Sequence, residues 1–424
     1  MPEKLEQRLE FLKQLRVASL ELRRLPLASR NKVLSTLAEK ISSQRQQILE
    51  FNSQDVEAFK KSSSFSHVLL DRLILTDARI NGMIESFSSV ERMPDPLGRT
   101  LTEKTLKNGL ILRQRSDSFG VILFIFESRP NVITEAFSLG FKSGNALVFK
   151  NGKEASYTAK FIYELIDECL RENNILRTSF QGLAQASREE IHWLLQQDRS
   201  IDLVIPRGGD QLIESVKANS RIPVIQNDRG LCHLYVDAEA DIEMALRILK
   251  NGKTQRPSVC NSLETLLVHE KVAKQFLLLA QKELESNKVL WWVCPQSLVL
   301  LGGPNERVMA TTPSSFDREY LNLELNCRVV RSLEEALEHI QLHGSKHSES
   351  IVTQNENTAR KFQDEVDAAV VYWNASTRFT DGVEFGLGGE IGISTQKLHV
   401  RGPVGLDALT TARWVVDGQG QIRP

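Results

Sequence analysis

The chain has 424 residues, too many for one hydrophobic core and enough for two or three domains. Hydrophobic residues make up 41% and charged residues 25%, which excludes wholesale disorder. With 53 basic and 54 acidic residues the formal net charge is −1, so the charge balance gives no case for nucleic acid or a membrane as partner.

Met1–Arg30 is charged and helix-like, without the apolar segment of a secretory signal. The longest apolar stretches are Phe119–Phe126, which is short, and Val289–Leu301, which is broken by Cys294, Pro295, Gln296 and Ser297. A cytoplasmic protein is expected. The five cysteines (Cys169, Cys232, Cys260, Cys294 and Cys327) are widely spaced and contain no Cys-x-x-Cys pair, so neither a disulfide framework nor a metal site is expected.

Residues 3–60 read as helices, with Leu34, Leu37, Ile41 and Ile48 at helical spacing. The polar stretch Lys60–Ser66 interrupts them, and a further helical run is expected over Leu69–Ser89. Pro94–Arg99 reads as a loop and Leu110–Arg115 as an exposed strand or hairpin arm. From Phe119 the texture changes. Val121–Phe126 is the continuous apolar run of a strand buried on both faces, followed by a helix over Val132–Lys142 and a strand over Ala146–Lys150. A helix over Ala155–Glu172, the segment Arg188–Gln197 and a strand over Leu203–Ile205 continue the alternation, which predicts an α/β sheet of the nucleotide-binding kind. Strands at Val224–Ile225 and Leu234–Val236 lead into a helix over Ile242–Lys250. Beyond Cys260 the pattern predicts a strand over Thr265–Val268, a helix over Val272–Leu284 and one more strand–helix unit ending near Ile340. The tail is glycine-rich: Gly382, Gly386, Gly388, Gly389, Gly392, Gly402 and Gly405.

Cys260 lies in Lys-Thr-Gln-Arg-Pro-Ser-Val-Cys-Asn (253–261), a polar segment in which Lys253 and Arg256 would favour the nucleophilic thiolate. The competing reading is a small buried core residue. Glu-Ser-Arg-Pro-Asn (127–131) follows a buried strand, where ligands gather in open α/β sheets. Its amide and arginine could serve an oxyanion and an anion, or Pro130 and Asn131 could simply shape the turn. Lys150 ends a strand, as does Pro-Arg-Gly-Gly (206–209), whose glycine amides suit a phosphate, but the G-x-G-x-x-G fingerprint is absent. His339, His343 and His347 recur every four residues, but Gly344 and Ser345 interrupt the helix and no acidic or cysteine partner adjoins them in sequence.

Three strings, Glu-Ser-Arg-Pro-Asn (127–131), Gln-Arg-Pro-Ser-Val-Cys-Asn (255–261) and Arg-Phe-Thr-Asp-Gly (378–382), closely resemble the γ-glutamyl phosphate reductase family, a branch of the aldehyde dehydrogenase superfamily. So does Phe385–His399 with Arg401-Gly-Pro, and the resemblance extends from Asn52, Asp55 and Asp71-Arg-Leu73 to the final Gly-Gln-Ile-Arg-Pro. It implies an aldehyde-dehydrogenase-like α/β fold with two Rossmann-like domains and a small β oligomerisation element. An NADPH-binding domain is expected over 1–98 and 119–235, oligomerisation strands over 99–118 and 405–424, and a catalytic domain over 236–404.

The resemblance also implies roles. Cys260 matches the nucleophile and Asn131 the amide that steadies the oxyanion. Lys150 and Glu319 match residues holding cofactor ribose hydroxyls, and Gly208 and Gly209 the turn facing the cofactor. For the glutamyl end, Arg129, Arg256 and Arg378 are the cationic candidates, with Ser376, Thr380 and Asp381 as polar contacts. The implied reaction is NADPH-dependent reduction of L-glutamyl 5-phosphate to the 5-semialdehyde through a thioester, in proline biosynthesis. A homodimer or tetramer is implied, and a γ-glutamyl kinase is the natural transient partner because the acyl phosphate is labile.

Two rival readings remain at this level. An oxidative aldehyde dehydrogenase would carry a water-activating glutamate near Gln226, but Val-Ile-Gln-Asn-Asp-Arg-Gly (224–230) has only Asp228. A catalytically idle scaffold would have lost Cys260, Asn131 or Lys150. The chain departs from the family after Lys150, where it reads Asn-Gly-Lys-Glu-Ala, and also at Phe65–Val68, over Glu285–Phe316 and at Trp373.

Overall fold

Six consecutive apolar residues, Val121–Phe126, are buried without exception, as a strand covered on both faces requires. In the computed structural model this strand is central to a parallel sheet. The structure describes residues 2–63, 65–226, 229–312 and 314–423, with the side chains of 2–8, 67 and 68 excepted. The chain divides into two units, Met1–Gln226 with Gly386–Gly392 and Val404–Pro424, and Asn227–Phe385 with Ile393–Pro403.

The strands of the first stretch are β1 (Thr100–Thr105), β2 (Ile111–Ser118), β3 (Val121–Phe126), β4 (Ala146–Lys150), β5 (Phe180–Gly182) and β6 (Leu203–Arg207). Four of them form a sheet of order β5-β4-β3-β6, parallel throughout. The chain steps outward from β3 to β4 and β5, then returns to place β6 on the other side of β3. That reversal is a topological switch point, the position where open α/β sheets hold ligands. Register pairs Ile125 with Lys150 and Phe126 with Arg207, so the carboxyl ends of β3, β4 and β6 lie level. The helix Val132–Lys142 carries the chain from β3 to β4, and the helix Ser156–Glu172 from β4 to β5. The N-terminal helices Pro2–Leu22, Leu27–Ser43 and Arg45–Lys60 belong to this unit, with Leu34, Leu37, Ile41 and Ile48 fully buried.

The second unit is built on β7 (Cys232–Val236), β8 (Leu263–His269), β9 (Leu290–Val293), β10 (Val308–Ala310), β11 (Glu324–Val330), β12 (Ser348–Val352) and β13 (Val370–Trp373). They form a parallel sheet of order β10-β9-β11-β8-β7-β12-β13. Its core packs Leu234, Leu266 and Val268 against Phe276 and Leu277 of the helix Glu270–Leu284. β14 (Ile393–Ser394) and β15 (Gly402–Pro403) make a short antiparallel pair.

The last strand, β16 (Thr410–Asp417), returns to the first unit, where β1, β2 and β16 form an antiparallel sheet with β2 central. Three expectations change. β7 pairs with β8 and β12, so this strand belongs to the second sheet and not to the domain ending at residue 235. Val224 makes one isolated bridge to Val204 and no strand. The run Leu69–Ser89 is two helices, His67–Leu73 and Asp77–Arg92, the second starting where Thr76 Oγ1 accepts the Arg79 N–H at 3.2 Å.

Candidate active site

In the first unit the chain leaves β3 through Glu127 and Ser128 and enters the helix Val132–Lys142. Ser128 has a left-handed backbone (φ 44°), and its N–H and hydroxyl both donate to Glu154 Oε1, at 2.7 and 2.5 Å. That carboxylate holds the turn in a conformation a serine rarely adopts. Asn131 stands half-buried at the helix start, and its side chain makes no capping bond, so the carboxamide is not consumed by the helix end. Arg129, two residues earlier, is also half-buried.

Lys150 ends β4, level with Ile125 of β3. Burial lowers the pKa of its ammonium, with Glu154 and then Glu127 opposing. Glu127 Oε2 accepts the Gly209 N–H at 2.9 Å, and a Cβ on Gly208 would overlap the same carboxylate. Gly209 is the N-cap of the helix Asp210–Asn219, with no side chain on that cap. A half-buried ammonium, two carboxylates and an uncapped helix start at a switch point fit a nicotinamide dinucleotide: lysine and carboxylates for ribose hydroxyls, helix amides for phosphate. Glu127 and Glu154 carry no role in the sequence reading, although both sit inside its motifs. The segment after Lys150 is anchored by Asp55, whose carboxylate accepts the Tyr157 N–H at 3.0 Å and the Thr158 N–H at 2.8 Å.

In the second unit Cys260 is half-buried in the turn between the helix Ile242–Thr254 and β8. It therefore lies at the amino edge of its sheet, where the carboxyl-end rule offers no guidance. The Cys232 thiol donates to the Cys260 carbonyl at 3.3 Å, and a Cβ on Gly230 would overlap that oxygen. The Gly230 N–H donates to Glu319 Oε1 at 2.8 Å, so this glutamate steadies the segment packed on the Cys260 loop. Asn261 donates to the Thr380 carbonyl at 2.8 Å, and the Thr377 hydroxyl donates to the Asn261 carbonyl at 2.7 Å. These bonds join the two strings, 255–261 and 378–382, that stand far apart in sequence.

The cation beside Cys260 is Arg378. Burial lowers the pKa of this half-buried guanidinium, and the largest charge that would oppose the shift is an ionised Cys260. Its Nε donates to Gln255 Oε1 at 3.0 Å. Lys253 has a different position from the one expected. It lies inside the helix, fully buried, donating to the Leu263 carbonyl at 2.7 Å and to Glu264 at 3.4 Å, so its charge is committed to Glu264. Arg256 is exposed.

Ser376 Oγ accepts the Arg378 N–H at 3.3 Å, and Asp381 Oδ1 accepts the Val383 N–H at 2.8 Å. Thr380 is fully buried, its hydroxyl bonded to Ser348 Oγ at 2.7 Å and the Tyr372 hydroxyl at 2.8 Å. Its environment makes it a scaffold for the Arg378 loop, since no open side remains for a ligand. Gly230, like Glu127 and Glu154, carries no role in the sequence reading; its signal was a glycine with no turn to explain it. Asn227 and Asp228 lie outside the described residues.

The helix Leu333–His343 carries His339 and His343, and the chain leaves it before His347. His343 Nδ1 is 2.8 Å from Asp317 and His347 Nδ1 3.6 Å from Cys232 Sγ, so acidic and thiol neighbours absent from the local sequence are supplied by the fold. Among the described residues no group of three or more His, Cys, Asp or Glu side chains could hold a metal ion.

The aldehyde dehydrogenase family model matches residues 9–290. The γ-glutamyl phosphate reductase of Wolinella succinogenes is 44% identical over 413 residues, 97% of this chain and 99% of its own. That of Clostridium tetani is 43% identical over 400 residues, 93% of each chain. Among solved structures, the γ-glutamyl phosphate reductase of Thermotoga maritima superposes with a TM-score of 0.93 at 40% identity, covering 98% of this chain and 99% of its own. An acetylating aldehyde dehydrogenase from Geobacillus thermoglucosidasius, 15% identical with a TM-score of 0.70 over 100% of this chain and 98% of its own, shares the fold. The chain belongs to the aldehyde dehydrogenase family and, within it, to the γ-glutamyl phosphate reductases.

Proposed function

We propose that this chain reduces L-glutamyl 5-phosphate to L-glutamate 5-semialdehyde and phosphate with NADPH, a step of proline biosynthesis. The observation that carries the reading is the Cys260 loop, a half-buried thiol in a turn braced by Gly230, Cys232 and Asn261 beside the Arg378 guanidinium. It occurs in a chain 44% identical to a protein of that name.

In this reading the Cys260 thiolate attacks the acyl carbon. The Asn131 carboxamide and a backbone N–H near Cys260 hold the oxyanion. The adduct expels phosphate and leaves a thioester. When bound, the nicotinamide supplies the hydride that reduces the thioester carbon. The thiohemiacetal then collapses, returning the thiol and releasing the aldehyde. Lys150 and Glu319 are assigned to ribose hydroxyls, and Gly208 and Gly209 to the phosphate-facing turn. Arg378 is assigned to an anionic group of the substrate, with Arg129 and Arg256 as secondary cations. Ser376 and Asp381 shape its loop. The stretch 224–230 contains no glutamate to activate water, which suits a thioester destined for hydride. The exposed Leu101, Trp414 and Val416 on the β1–β2–β16 sheet support self-assembly into a homo-oligomer. No helix among the described residues is long and apolar enough to cross a membrane.

The reverse reaction tests the proposal. Purified protein receives pyrroline-5-carboxylate, NADP⁺ and phosphate, and NADPH absorbance is followed for wild type and Cys260→Ala. Phosphate-dependent NADPH formation that disappears in the variant is expected. Turnover indifferent to phosphate would replace the acyl-phosphate reading with an oxidative dehydrogenase.

A further inference from the structure

Cys232 opens β7 with no exposed surface, its Sγ 3.3 Å from the Cys260 carbonyl oxygen and 3.6 Å from His347 Nδ1. A buried thiol is a weak donor, and here its acceptor is the carbonyl of the residue proposed as the nucleophile. Burial pushes this thiol well above its ordinary range, so at neutral pH it is an S–H with one proton to give. The carbonyl is the nearer acceptor, and the ring nitrogen has Ser348 Oγ at 2.9 Å. From Ser348 the contacts run to Thr380 Oγ1 at 2.7 Å, and the Thr380 carbonyl accepts the Asn261 amide at 2.8 Å. A closed circuit thus grips the peptide after Cys260 by its oxygen and by the next side chain, while Gly230 occupies the face a Cβ would obstruct.

That peptide is trans, so the direction of its carbonyl sets the opposite direction of the Asn261 N–H. The Cα from which the reacting side chain extends lies in the same plane, so the setting of that plane fixes the backbone torsion at Cys260. We infer that Cys232 is a positioning residue, its buried S–H fixing the peptide plane on which Cys260 is mounted; this rests on Cys260 being the nucleophile.

The test compares full-length wild type with Cys232→Ala, which removes the donor, and Cys232→Ser, which keeps one. One readout needs no substrate: the rate of Cys260 alkylation by iodoacetamide against pH, assigned by peptide mass spectrometry. The other is kcat and KM in the reverse assay. In Cys232→Ala the alkylation profile is displaced and kcat falls roughly 10-fold with KM near wild type, a small misplacement sufficing for that loss. Cys232→Ser recovers most of both, at a similar unfolding midpoint. Wild-type behaviour in Cys232→Ala overturns the inference, as does a serine variant as impaired as the alanine one. Should the alanine variant fail to fold, Cys232→Val, which fills the volume without a donor, takes its place. If wild type shows no phosphate-dependent turnover but the alkylation profiles still separate alanine from serine, the positioning role stands and the proposed reaction fails.

Discussion

The backbone of Gly230 lies flat against the carbonyl of Cys260, with no space for a side chain between them. Gly230→Ala must therefore displace either the lead into β7 or the Cys260 turn, and it strains the bond to Glu319. We expect kcat to fall roughly 100-fold, because reacting groups tolerate little misplacement. Steady-state kinetics check this, and a variant within twofold of wild type would show that the turn absorbs the added methyl elsewhere.

Lys150 feels the charges of Glu127 and Glu154, and its removal takes away a cation that offsets both carboxylates. Hydrogen bonds from charged groups contribute about 1.5–3 kcal/mol, so Lys150→Met should weaken NADPH binding by roughly 10- to 100-fold. Fluorescence titration of NADPH measures it directly. Unchanged affinity would remove Lys150 from the cofactor site.

Asp55 caps the helix Ser156–Glu172 from a distant helix, accepting two backbone N–H bonds and one from the Thr158 hydroxyl at 2.6 Å. Asp55→Ala leaves those donors buried and unpaired, which costs about 2 kcal/mol. An unfolding midpoint lower by roughly 5 °C is expected in a thermal melt, and Asp55→Asn should recover part of it.

His339 is buried among His233, His343 and Arg328, and burial lowers its pKa to about 2. The unfolded chain therefore takes up a proton below about pH 6.5 that the folded chain refuses, so stability is full above that pH and falls below it. Lowering the pH from 7.5 to 5.5 should cost about 1.4 kcal/mol from this group. Urea midpoints at the two pH values check it, and His339→Gln should narrow the difference. Equal midpoints for the wild type would contradict it.

The apolar runs were the legible part of the chain. Val121–Phe126, Val132–Lys142 and Ala146–Lys150 have the same bounds in sequence and structure, because continuous burial and helical periodicity dominate there. β1 has no pattern of its own, since all six of its residues are exposed and pairing with β2 makes it a strand; only the resemblance, with its strands over 99–118, pointed to it. The helix after β7 was expected to span Ile242–Lys250, ending before Asn251-Gly252. In the fold it continues to Thr254, and Gly252 is there because a Cβ would come within 2.5 Å of Leu263 Cδ1. Of the site, residues with chemical character were visible and the bracing was not. Cys260, Asn131 and Lys150 stand out in the sequence as a thiol, a carboxamide and a cation. The contacts of Gly230, Cys232 and Thr380 with the Cys260 loop exist only once β7, β8 and β12 lie side by side.

β16 completes the first unit by lying against β2, with Thr410 opposite Ser118. The whole second unit is made by the ribosome between those two residues. The earlier unit must wait, one edge of β2 unmatched, while the later one can close first, so birth order and completion order are reversed. A ribosome stalled before residue 410 would release a chain whose second sheet can form but whose β2 offers an open edge to any passing strand.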